Sequence, residues 1–119
     1  QYFGMLSMEM HRAIRLVVDT GIHGKGWTRA QAIQYSLDHE AESEASIISE
    51  IERYMATPGQ ALSYKIGQLK IQELRSRAKK KLGDKFDIKA FHDQVLNTGS
   101  LPLIVLEKKI NNWITTQGA

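Results

Sequence analysis

Apolar side chains return every three or four positions along almost all of this 119-residue chain, and that recurrence constrains its fold more than any other feature. Phe3, Leu6, Met10, Ala13 and Val17 form the first stripe, widened by Ile14 and Val18. Glu9, His11, Arg12, Arg15 and Asp19 fall on the other side of the same helix, with Met5, Met8 and Leu16 among them. A helix carrying apolar residues on nearly every side is buried from more than one direction. Its charges then need partners, because an unpaired buried charge is costly. Arg15–Asp19 at i,i+4 and Glu9–Arg12 at i,i+3 are spaced to meet on one face.

The same reading continues downstream. A glycine-rich loop with Gly21, Gly24 and Gly26 is expected to follow the first helix and to hold His23. Thr28 and Gln31 then have capping-box spacing, and a short helix runs to about Leu37. Between Ala41 and Met55, the residues Ile47, Ile48, Ile51, Tyr54 and Met55 share one face, and Thr57-Pro58-Gly59 ends the segment. The longest helix is expected from Gln60 to Leu82. Its first half has two apolar faces, Leu62/Ile66/Leu69 and Tyr64/Ile71, and its second half keeps only Leu74, Ala78 and Leu82. Gly83 suits a left-handed helix end. Asp87 caps the next helix, with Phe86 and Phe91 as a hydrophobic staple, and Asn97-Thr98-Gly99 stops it. Pro102 opens the last helix as a first-turn proline, with Leu103, Leu106, Ile110 and Trp113 as its stripe. No convincing strand pattern appears. The expectation is an all-α chain of five to six helices in a single segment spanning 1–119, without an internal repeat.

Composition narrows the class. The chain is 42% hydrophobic and 24% charged, as in an ordinary globule, and very roughly two thirds of its surface can be buried on folding. A net charge of +3 does not by itself argue for nucleic acid. There is no cysteine, hence neither a disulfide framework nor a thiolate metal site. The longest apolar runs fall far short of the ~20 residues of a membrane span. The chain begins at Gln1 in mid-pattern, without a signal-peptide pattern, which suggests a mature product or an excised segment.

Several local patterns invite a chemical reading. The run RSRAKKK, Arg75 to Lys81, has the look of a nucleic-acid patch, but cations in the last turns of a helix complement its dipole. These cations point around the helix, and no aromatic residue interleaves with them as a stacking platform requires. Nucleic acid is therefore not an expected partner. His39-Glu40 begins like HExxH, yet Ser43 stands where the second histidine belongs, so the stretch reads as a solvated polar turn. His11 and His92 read as surface or cap residues. His23, in its expected loop, is open to a catalytic role or to none. Tyr64, in the first turns of a helix after a Pro-Gly turn, is open to two readings: a core ring, or a hydroxyl donor aimed into a cleft.

Three stretches, EMHRAIRLVVDTGIHGKGWTRAQAI, RYMATPGQALSYKIGQLKIQELR and FDIKAFHDQVLNTGSLPLIVLEKKI, together resemble a bacterial family known as domain of unknown function 885. The resemblance covers nearly the whole chain. It implies a helical, zincin-like architecture similar to that of helical metallocarboxypeptidases and oligopeptidases, in bacterial proteins that are often exported, some as lipoproteins. Longer members carry a HExxPGH-type motif and an EGWA-type segment, which would supply the zinc ligands and the general-base Glu. Neither is present here. The chain thus looks like the C-terminal segment of such a protein, with no metal ligands of its own and inactive in isolation. Its implied partners are the N-terminal metal-binding part of the parent and a peptide substrate.

By the same resemblance, His23 and Tyr64 would donate hydrogen bonds to the oxyanion of a tetrahedral intermediate. Arg12, Arg15 and Asp19, on the cleft side of the first helix, would position substrate or support those donors, and so would Gln60 at the start of the long helix. The plainer alternative, in which the Arg/Asp set only pairs helices in a core, stays open. So does a non-catalytic helical module that docks a partner chain. Either way, two-faced helices on so short a chain are expected to drive self-association in isolation.

Overall fold

The computed structural model describes residues 1–118. Six α-helices follow one another: α1 (Tyr2–Lys25), α2 (Arg29–His39), α3 (Glu44–Ala56), α4 (Ser63–Leu82), α5 (Ile88–Leu96) and α6 (Leu103–Thr116). Single 3-10 turns, Gln60–Leu62 and Gly83–Lys85, precede α4 and follow it. No strand occurs among the described residues, so the all-α expectation holds. Packing divides the chain within α4 into two units, Gln1–Ile66 and the residues from Gly67 onward.

The first unit is built from α1, α2, α3 and the turn that leads into α4. Ile14, Val18, Ala32, Ile47, Ile51, Tyr54 and Ala61 form its core, with Ile22, Trp27, Ile33 and Tyr35 packed against them. Its helix starts follow the local chemistry. Thr28 accepts from the Gln31 backbone N–H while the Gln31 side chain accepts from the Thr28 N–H, a complete capping box. Ser43 caps α3 through the Ser46 N–H.

Two expectations about α1 need correction. It is the longest helix, 24 residues against 20 in α4, because it runs straight through Gly21 and Gly24 and ends at Gly26 in the left-handed conformation. The supposed glycine loop is mostly helix, and His23 lies in its last turn. Gly21 stays helical because it is packed: the Trp27 ring lies where its Cβ would be, 2.4 Å from the ideal position. The Trp27 N–H also turns back to the Gly21 carbonyl at 2.9 Å. Secondly, the buried stripe is Ile14, Arg15, Val18, Asp19 and Gly21, whereas Phe3, Leu6, Met10 and Val17 are exposed. Both candidate stripes have helical spacing, so periodicity alone did not separate them.

The second unit gathers Leu74, Ala78, Leu82, Phe91, Leu106, Ile110 and Ile114, with Phe86, Ile88, Val95, Leu101 and Trp113 around them. Asp87 accepts from the Lys89 N–H at 3.0 Å, and Phe86 meets Phe91 at 6.2 Å between ring centroids, as the staple pattern requires. Gly83 adopts φ 54°, the left-handed helix end its position suggested. Pro102 is one place earlier than expected: its ψ of 143° is extended, so it stands just outside α6. Arg77 of the basic run pairs with Glu73 at 2.7 Å and Glu107 at 3.0 Å, which gives that cation a structural role.

Candidate functional site

On the first unit, a cleft of about 350 Å³ opens between α1, α3 and the start of α4. Met8, Arg12 and Arg15 of α1, Glu50 and Arg53 of α3, and Tyr64 of α4 lie on its walls. His11, Glu42 and Ser46 complete the lining.

Arg15 is the central group. It is 7% exposed, and its guanidinium lies over the Tyr64 ring at 4.6 Å and near the Tyr54 ring at 5.4 Å. Both are cation–π distances. Nη2 donates to Gln60 Oε1 at 3.3 Å, and Nε has no protein acceptor. The ion pair anticipated between Arg15 and Asp19 does not form. Asp19, 2% exposed, instead accepts the Gly59 N–H with both carboxylate oxygens at 3.2 Å. Gly59 holds φ 82°, a conformation that suits glycine, and this turn brings Gln60 to Arg15 and Tyr64 to the cleft wall. The buried charge of Asp19 is therefore anchored to the backbone of a turn.

The surrounding charges are already committed in part. Glu50 accepts from Arg53 at 2.7 Å, and that bond holds its carboxyl below the usual carboxylate range. Arg12 meets Glu9 only at 3.9 Å, and Lys65 reaches Glu9 at 3.0 Å. Burial pushes the Tyr54 phenol well above its ordinary value, so the ring stays neutral beneath the two arginines.

Of the residues singled out from the sequence, Arg12, Arg15, Gln60 and Tyr64 are brought together, and Asp19 supports the turn beneath them. His23 is not a wall of this cleft. It projects from the last turn of α1, and its Nε2 donates to the Tyr54 carbonyl at 2.9 Å, tying α1 to the end of α3.

Sequence reasoning missed a second pair. Glu40, read as part of a solvated turn, has a largely buried side chain whose Oε1 lies 3.3 Å from His11 Nδ1. His11, read as a surface residue, joins this cleft to a neighbouring cavity of about 220 Å³ lined by Phe3, Leu6, Met10, His39 and Glu42. Burial raises the Glu40 carboxyl above its ordinary value, although His11 pulls the other way. No local signal marks the pair, because its members are 29 residues apart in sequence.

Among the described residues, no three His, Cys, Asp or Glu side chains converge as a metal site. No helix is long and apolar enough to cross a membrane.

Comparison with known proteins fits this architecture. The family model for a bacterial protein of unknown function (DUF885) matches residues 1–110. The chain belongs to this family. Among solved structures, it is similar to the crystal structure of the "putative lipoprotein" from Colwellia psychrerythraea, with 54% identity and a TM-score of 0.94. That match covers 96% of this chain and 20% of the other, so the present chain spans about a fifth of its relative's length. No curated protein matches the chain. The family inferred from the three quoted stretches is thus the family found, and the relative provides a closely similar fold.

Proposed function

We propose that this chain is the C-terminal helical part of a larger zinc-dependent, peptidase-like hydrolase, to which it contributes cleft side chains and no metal ligands. The observation that supports this reading is the cleft wall itself, where the Tyr64 ring stacks on the buried Arg15 guanidinium and Arg12 stands nearby. Tyr64 is 51% exposed, so its hydroxyl has room to meet a ligand. No group of described residues is suited to hold zinc; in this proposal the ligands belong to protein outside this chain, and no chemistry of the metal is assigned to residues here. What these residues would do is donate hydrogen bonds and hold an anionic group. The relative from Colwellia psychrerythraea, a "putative lipoprotein", supports export of the parent as part of the same proposal.

The test uses the longer protein that contains this segment, assayed for peptide hydrolysis. A donor aimed at a developing oxyanion is typically worth ~10²–10³-fold in turnover. Tyr64→Phe keeps the ring over Arg15 and removes only the hydroxyl. It should cut kcat at least tenfold while KM and melting temperature barely move. His23→Gln tests the second donor in the same way, from a position where Nε2 is already bonded to Tyr54. Arg75→Ala is the control and should change neither quantity. Intact turnover in Tyr64→Phe would sink the oxyanion role of the tyrosine. For His23→Gln, a fall in melting temperature with unchanged kcat would make His23 a tie between helices.

A second reading, a non-catalytic helical interaction module, draws its support from the exposed row Tyr2, Phe3, Met5 and Leu6 at the start of α1. Under that reading the longer protein hydrolyses nothing, and none of the three substitutions has a turnover to change.

A further inference from the structure

Arg15 is a buried cation without a direct ion pair, although its charge is felt by Glu50. No carboxylate forms an ion pair with it among the described residues, because Asp19 is bound to Gly59 and Glu50 to Arg53. Its hydrogen-bonding partner is the neutral amide oxygen of Gln60, at 3.3 Å. The tyrosine rings stabilise the face of the guanidinium and Gln60 answers one N–H of its edge, but Nε has no acceptor. Leaving a buried charge and a buried donor unsatisfied costs stability, so such a group is retained where something else completes it. The group also lies on the wall of an open cleft rather than in a closed core.

We propose that this cleft binds a carboxylate group of its ligand, with Arg15 as the principal contact and Arg12 beside it. The inference rests on reading the cleft as the place where a ligand binds, and adds what that ligand must carry. A planar guanidinium fork matches a carboxylate with two parallel N–H···O bonds, which a point charge such as Lys cannot reproduce. Glu42 and Glu50 also line the cleft, so its selectivity comes from the local fork rather than from a general excess of positive charge. The carboxylate has two chemical sources in a peptide, its C terminus or an acidic side chain.

Calorimetric titration of the 119-residue chain with three small probes decides among them: N-acetyl-alanylalanine, its C-terminal amide, and the C-terminal amide of N-acetylglutamic acid. Saturable binding of the first with none of the second identifies a free C terminus. Binding of the third as well extends the site to acidic side chains. Arg15→Gln should weaken the binding at least tenfold, and Arg15→Lys should restore little of it. If these variants fold poorly, the wild-type chain still gives the answer, because the Arg15 side-chain Nε–H resonance should move on titration with a binding acid and stay still with the amide. Equal binding of acid and amide, no binding of either acid, or an unmoved Arg15 resonance would overturn the carboxylate site. None of these results depends on turnover. An inactive longer protein that still distinguishes acid from amide would refute the hydrolase reading alone.

Discussion

At the scale of single residues, the charges of the first unit divide into those answered by the backbone, those answered by side chains, and Arg15. Glu40 and Glu50 lie near one another in this network but are shifted in opposite directions. Burial raises Glu40, so its folded form favours the proton; whatever stability this contributes is present at low pH and is lost as pH rises through the raised value. The bond from Arg53 lowers Glu50, so its contribution is present above the ordinary carboxylate value of 4.5 and is lost as pH falls through the lowered one. Melting curves from about pH 3 to about pH 7, a window that spans carboxylate titration, should therefore show opposite trends. The advantage of wild type over Glu50→Gln should shrink as pH falls below 4.5. Relative to Glu40→Gln, wild type should lose ground as pH rises above 4.5. Parallel curves for the two variants would refute this assignment of the shifts.

At the scale of elements, the end of α1 shows how a helix can run through glycines that look like a loop. Gly21 and Gly24 are both helical, and they differ in what lies beyond the missing Cβ. At Gly21 the Trp27 ring occupies that space, whereas at Gly24 the nearest atom, Thr20 Cγ2, is at an ordinary 3.6 Å. Gly21→Ala should force the indole to shift and destabilise the protein by about 1–3 kcal/mol, the usual cost of overpacking. Gly24→Ala should be neutral or stabilising by up to ~1 kcal/mol, since alanine is the better helix former. Thermal melts together with tryptophan emission provide the check, and equal effects of the two substitutions would count against the packing account. The turn before α4 has a related logic: both oxygens of Asp19 hold the Gly59 N–H, so a residue of α1 sets where Gln60 and Tyr64 begin.

At the scale of the molecule, each unit has its own apolar core, and apolar side chains are left over. Tyr2, Phe3, Met5, Leu6, Met8 and Met10 are all exposed along the first turns of α1. A row of this kind on a water-facing helix marks an interface. In isolation the chain should therefore form a dimer or higher oligomer at micromolar concentration, and the double substitution Phe3→Asp, Leu6→Asp should shift it towards monomer. Static light scattering that gives a clean wild-type monomer would exclude this. In the longer protein proposed above, the same row would be covered by other parts of the chain.

What the sequence by itself determined is whatever its near neighbours decide. Helical class, the capping box at Thr28 and Gln31, the Asp87 cap and the Gly83 stop all depend on residues within one turn, and each is found as read. The three long stretches also carried the family, because a long specific match needs no geometry. Tertiary structure decided which of two helical stripes of α1 faces inward, that His23 stays in the helix, and which charges meet. Asp19 turned from its i+4 neighbour to a backbone N–H 40 residues away, and Arg15 to an amide 45 residues away. His11 found Glu40 across 29 residues. Spacing along a helix says which partners are near enough to compete; burial and the backbone groups that arrive from elsewhere decide which of them wins.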